Sequence, residues 1–172
     1  MTVIDVLLTV NPTNGFKVKE GPSLNQARAY HCSATMEVNN RKLIAVAGGD
    51  GQSYLNSVEI LDPASGLGWM RGPKLPFKLS TASMITSPTG RGVVVIGGWN
   101  DRSNRYSTTI LELHGRTMEW IPLKQTLSYG RVGHISFYVP DEITSVRKIQ
   151  TTKPKWKKIR NKIPKLLKNV IL

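Results

Sequence analysis

The sequence predicts an all-β protein built from repeated four-stranded units, followed by a basic tail. Three observations point there. Two apolar runs, IAVAGGDGQSY (44–54) and VVVIGGWNDRS (93–103), both stop at a glycine pair. The stretch GPSLNQARAYH (21–31) lies over GPKLPFKLSTA (72–82) at an offset of 51. Trp69 lies over Trp120 at the same offset of 51. A glycine pair after a strand says little once; twice at matching spacing it marks a repeat.

Each repeat opens on Gly-Pro-x-Leu and enters a first strand. A second, strongly apolar strand follows and ends at Gly48-Gly49 or Gly97-Gly98. A polar loop and a tyrosine, Tyr54 or Tyr106, lead to a third strand, SVEILDP (57–63) or TTILELH (108–114). A turn and a fourth strand opening at Trp69 or Trp120 close the repeat. Alternation and β-branched residues support the strands, and Gly, Pro, Asp and Asn punctuate them. Glycine admits backbone conformations closed to other residues and lets another segment come close, as a strand turning sharply at a crowded axis requires. The tyrosines and tryptophans are expected to fill the gaps between neighbouring sheets.

Four short strands per roughly 50 residues is the period of a kelch-type propeller blade. The chain resembles a kelch-repeat β-propeller over about 3–142, through Gly48, Gly49, Tyr54 and Trp69 in one repeat and Gly97, Gly98, Tyr106 and Trp120 in the next. The wording of SLNQARAYHCSATM (23–36) and SYLNSVEILDP (53–63) is similar to the C-terminal blades of animal kelch-like adaptor proteins. That resemblance implies a protein-binding module, and at its narrowest the substrate-recognition part of a ubiquitin-ligase adaptor. Ligase recruitment in that family also uses BTB and BACK domains, which these residues do not include. Other kelch proteins bind actin.

The expected organisation is a partial propeller over 1–143: the end of a blade (1–20), two blades (21–71 and 72–122) and the start of another (123–143). LLTVNPTNGF (7–16) overlays VEILDPASGL (58–67), so the chain opens on the last two strands of a blade. LSYGRVGHISFYVPDEI (127–143) restarts one, with Arg131 and His134 matching Arg28 and His31; the middle repeat has Leu79 and Ala82 there. About three blades are fewer than the roughly 4–8 of closed propellers. Two expectations follow: a portion of a longer protein, or two chains completing a ring of about six blades.

The formal net charge of +13 is concentrated at one end. The 24 Lys and Arg include ten from residue 143 onward, where Asp and Glu are absent. In the tail (144–172), Trp156, Ile159, Ile163, Leu166, Leu167 and Val170 form an apolar stripe at spacings of 3 and 4. Lys155, Lys157, Lys158, Arg160 and Lys162 occupy the other faces, and Pro164 interrupts the pattern. Three readings stay open: a solvated extension, an amphipathic helix on an anionic membrane or acidic partner, or a nuclear-localisation or nucleic-acid contact. One cysteine, Cys32, allows no intrachain disulfide and favours a reducing, cytoplasmic setting, with nuclear entry through the tail as the alternative. The N-terminus reads as neither signal peptide nor membrane span.

No catalytic site is expected. His31, His114 and His134 are far apart in sequence and lack metal-spaced partners, so no metal or cofactor is expected either. Cys32 and His31 are neighbours on a strand and point to opposite faces. Neither a nucleophile elbow nor a phosphate-cradling loop occurs. Binding is expected through the loops after the glycine pairs: Asp50, Gln52 and Ser53 in one, and Trp99, Asn100, Asp101, Arg102 and Arg105 in the other. Trp99 among charged residues has the composition of an interface hot spot; its competing role is packing on the neighbouring blade. Arg28 and Arg131 either face a partner or pair within the fold. The expected partner is a protein, with no small-molecule ligand.

Overall fold

The computed structural model describes residues 6–11 and 15–139, and its side chains from residue 21 onward. Two compact bodies are distinguished, 1–134 and 135–172, and every described strand lies in the first.

The chain begins with an antiparallel hairpin of β1 (Val6–Asn11) and β2 (Gly15–Glu20), with Asn11 opposite Gly15 at its tip. The first complete blade is a four-stranded antiparallel meander: β3 (Cys32–Val38), β4 (Arg41–Ala47), β5 (Val58–Leu61) and β6 (Met70–Arg71). Leu79–Ser80 forms a short β7. The second blade repeats the meander with β8 (Ser83–Thr86), β9 (Gly92–Ile96), β12 (Ile110–His114) and β13 (Glu119–Pro122). Between β9 and β12 the chain makes β10 (Trp99–Asn100) and β11 (Arg105–Tyr106), which join β7 in a separate three-stranded sheet. The all-β architecture and the four-strand repeat match the sequence reading. Among the described residues, 123–139 carry no strand.

The core lies between the two blades. Val58 and Ile60 of β5 and Ala45 and Ala47 of β4 pack with Val93 and Val95 of β9 and Leu111 and Leu113 of β12. These are alternate residues, the period-2 signature of one sheet face. Met36 and Leu113 are 2 % and 0 % exposed. Each such side chain contributes about 1.5–3 kcal/mol by leaving water. All four residues of β5 and all five of β9 are buried, so both faces of these inner strands are covered. That explains why VVVI reads as a continuous apolar run.

Backbone hydrogen bonds tie one repeat to the next at matching positions. The Gly49 N–H donates to the Leu79 carbonyl, and the Gly98 N–H to the Arg131 carbonyl, both at 2.8 Å. The Thr81 N–H donates to Tyr30 and the Gly133 N–H to Thr81, both at 2.9 Å. Tyr30, Thr81 and Gly133 share a positive φ of 53°, 53° and 62°. Residues up to Gly133 thus reproduce the entry into a repeat. The tryptophans latch each blade to its own start: the Trp69 indole donates to the Pro22 carbonyl and the Trp120 indole to Pro73, both at 2.8 Å.

Candidate protein-interaction face

The glycine pairs create this face. Gly48 and Gly97 have φ of +63° and +65°, and their partners Gly49 and Gly98 +101° and +96°. A Cβ on Gly48 would collide with the Leu79 carbonyl; one on Gly97 would lie 2.8 Å from the Arg131 carbonyl and the His134 ring. Both requirements anticipated for glycine, left-handed backbone and close approach, are met at the same residues. The chain then leaves each blade at one end, and the next repeat supports it there.

Loop 99–105 is not an open loop, as the sequence suggested. Trp99 pairs with Tyr106 and Asn100 with Arg105, making a hairpin whose other edge pairs with Leu79 and Ser80. The Asn100 side-chain oxygen accepts from the Arg102 and Ser103 N–H groups at 3.0 and 3.3 Å and shapes the turn. Asn104 adds a φ of 51°. Such Asx bonding and left-handed asparagine are ordinary turn chemistry. The first repeat has a shorter version: Asp50 bridges Ala29 on one side and Tyr54 on the other. Its N–H and carbonyl both bond Ala29 at 2.7 Å, so the backbone of Asp50 is occupied within the fold.

The two loops meet on one segment. The Leu79 N–H donates to the Leu55 carbonyl at 2.9 Å, while the Leu79 carbonyl accepts from Gly49 and the residue pairs with Asn100. Gln52, Ser53, Asp101, Arg102 and Arg105 are exposed there, and Trp99, Asn100 and Asp50 half-buried. Trp99 meets Tyr106 edge to face, with centroids 5.5 Å apart at 69°. Tyr106 is 58 % exposed, so it does not fill an inter-sheet gap as expected; the hairpin carries it outward past Gly98. Lys78 lies 3.9 Å from Asp101, a weak surface pair. Lys78 belongs to this face and was not singled out by its sequence neighbourhood.

Arg28 does not face a partner. It is 3 % exposed and bonds the Gly48 carbonyl at 2.7 Å, Ser57 at 3.0 and 3.1 Å, and Glu59 at 2.7 Å. Glu59 is buried at the middle of β5 and also accepts from the Asn25 and Gln26 N–H groups at 2.7 and 3.2 Å. A buried carboxylate needs a neutralising, hydrogen-bonding partner, and Arg28 is it. Arg131 is half-buried, and its Nε has no hydrogen-bond partner among the described residues. Beside it, His134 has its pKa lowered, first by burial and then by the Arg131 charge. The tail residues Lys155, Trp156, Lys157, Lys158, Arg160 and Lys162 lie outside the described residues.

Burial pushes the Cys32 thiol up to about 12, against a smaller opposing effect of its backbone hydrogen bond. Its S–H donates to the Ala47 carbonyl at 3.5 Å. Such a thiol is protonated and unreactive at neutral pH. Among the described residues, no group of three or more His, Cys, Asp or Glu is placed to hold a metal ion, and no helix is long and apolar enough to cross a membrane.

A family model described as the Kelch motif matches residues 30–76, from the lead-in to β3 to just before β7. No curated protein matches the chain.

Proposed function

We propose that this chain, a kelch-repeat protein, is a protein-interaction module that binds a partner protein through the face formed by 50–54 and 99–106. The carrying observation is the convergence of both loops on Leu79, which holds Trp99 and three exposed charged residues on a hydrogen-bonded hairpin. A rigid aromatic anchor ringed by polar groups is the composition of a binding hot spot, and ordering before binding lowers its entropic cost.

Substrate recognition for a ubiquitin ligase is the narrower form of this reading, supported by the wording of 23–36 and 53–63. A second reading places binding in the tail, favoured by its ten cationic residues without an acid. Anionic membrane or nucleic acid would then be the partner.

A photo-crosslinking amino acid at Arg102 in the full chain, with exposed Ser65 as control, tests the proposal in cells. Protein crosslinks specific to position 102, reduced by Trp99→Ala and kept on deleting 144–172, support it. Equal crosslinking at both positions, or loss only on the deletion, overturns it in favour of the tail.

A further inference from the structure

A second surface lies at the opposite end of the blades. In the register of β9 and β12, His114 stands opposite Gly92 while Ile110 stands opposite Ile96, next to the glycine pair. Three turns therefore gather away from the loop face: 39–40, 87–91 and 115–118. Their backbones are locked together. The Glu37 N–H donates to the Gly90 carbonyl at 2.8 Å, and buried Gly115 lies against the backbone of Arg91. Asn39 and Asn40 hold their turn with φ of 51° and 60°.

The turns frame an open cavity of about 380 Å³, lined among others by Glu37, Asn39, Asn40, Arg91, His114 and Arg116. The ion pairs of the described residues are Arg28–Glu59, Arg41–Asp62 and Lys78–Asp101; Arg91 and Arg116 belong to none. The Thr117 N–H donates to His114 Nδ1 at 3.3 Å, so the neutral ring carries its proton on Nε2 and keeps a donor to offer. The lining thus combines two guanidinium forks, an imidazole donor and two side-chain amides. Against Glu37, the surplus is one positive charge, matched to a single oxyanion and not to a polyanion.

We propose that this cavity binds a phosphate-type oxyanion, held between Arg91 and Arg116. Guanidinium forks fit phosphate oxygens two at a time. The locked backbones hold the two arginines on adjoining turns before the anion arrives. The same chemistry is carried by free phosphate or by a phosphorylated side chain of a partner. Sequence alone gave no sign of the site, because Asn39 and Arg116 are brought together only by the stacking of two blades.

The test is an amide NMR titration of the full chain at constant ionic strength, with sodium chloride as reference. The probes are orthophosphate and a short phosphoserine peptide. The expected result is saturable shifts at Asn39, Asn40 and Gly115. They weaken at least ~10-fold in Arg91→Gln/Arg116→Gln and persist in Lys155→Gln/Lys157→Gln/Lys158→Gln/Lys162→Gln. Comparable affinity for both probes assigns free anion; a markedly tighter peptide assigns a phosphorylated partner. Absence of saturable cavity shifts with either probe overturns the proposal, as do shifts that survive the double variant or vanish with the tail variant. The wild-type map decides the matter even if the double variant folds poorly.

Discussion

Arg28 and Glu59 stand 2.7 Å apart with side chains 0 % and 3 % exposed, and the matching positions of the second blade hold Leu79 and Leu111, both buried. One blade closes with a buried ion pair and the next with an apolar pair. Breaking a buried pair leaves an uncompensated charge and costs about 3–5 kcal/mol, whereas replacing both partners by packed apolar groups is often nearly neutral. Arg28→Leu and Glu59→Leu should each destabilise by that amount. The double variant, which copies the second blade, should cost far less than their sum. Urea denaturation of all four proteins measures the cycle; additive losses would refute the coupling.

The glycine pairs should resist the smallest side chain. Gly48→Ala must adopt a positive φ and collide with the Leu79 carbonyl. Gly66 also has a positive φ, +68°, but nothing lies within 4 Å of its Cβ position. Backbone strain alone costs about 1–3 kcal/mol, so Gly66→Ala sets the reference and Gly48→Ala should exceed it. Equal shifts in thermal midpoint would mean that close approach contributes nothing.

The indole latches predict a loss specific to the N–H. Trp69→Phe and Trp120→Phe keep an aromatic ring but leave the Pro22 and Pro73 carbonyls without their donor. Each should lose about 0.5–1.5 kcal/mol from the hydrogen bond, plus a packing loss. Trp120 packs against the core, so its variant should be the more costly. The ranking is read from chemical denaturation.

Two groups give the stability of the fold a pH dependence. Cys32 titrates at about 12 in the folded chain, above its unfolded value, so its contribution to stability is complete below the unfolded pKa and declines between about 9 and 12. Cys32→Ala should flatten that alkaline limb, and native Cys32 should react with a thiol reagent only on unfolding. His134 is shifted the other way, so the unfolded chain takes up its proton first as the pH falls below about 6.5 and stability declines. His134→Gln should soften the acid limb. Melting curves from pH 5 to 11 test both.

The blades were legible because their signals are local. Alternation in SVEIL and the continuous run VVVI marked the inner strands, and the glycine pairs marked where they stop. The tyrosine roles were not legible, because whether Tyr106 is covered depends on how far the 99–106 hairpin projects. Nor was the fate of Arg28 settled by its own neighbourhood. The signal lay in comparing repeats: Arg28 and Glu59 occur together, and at the matching positions Leu79 and Leu111 replace both. Pairing across 31 residues shows in such joint replacement, not in local pattern. Lys78 went unnoticed for a similar reason, since its place beside Asp101 is set by the pairing of β7 with β10.

The two loops differ in length but are shut by the same clasp. In the first repeat Leu55 N–H donates to the Gly49 carbonyl at 2.9 Å; in the second Ser107 N–H donates to the Gly98 carbonyl at 2.7 Å. The second loop accommodates three more residues between its clasp positions without disturbing the strands on either side. Lengthening a closed loop costs only a fraction of a kcal/mol once its ends are fixed. The hairpin tip is therefore a place where foreign sequence can be grafted, and where divergence can rewrite what the protein recognises while the blade beneath stays the same.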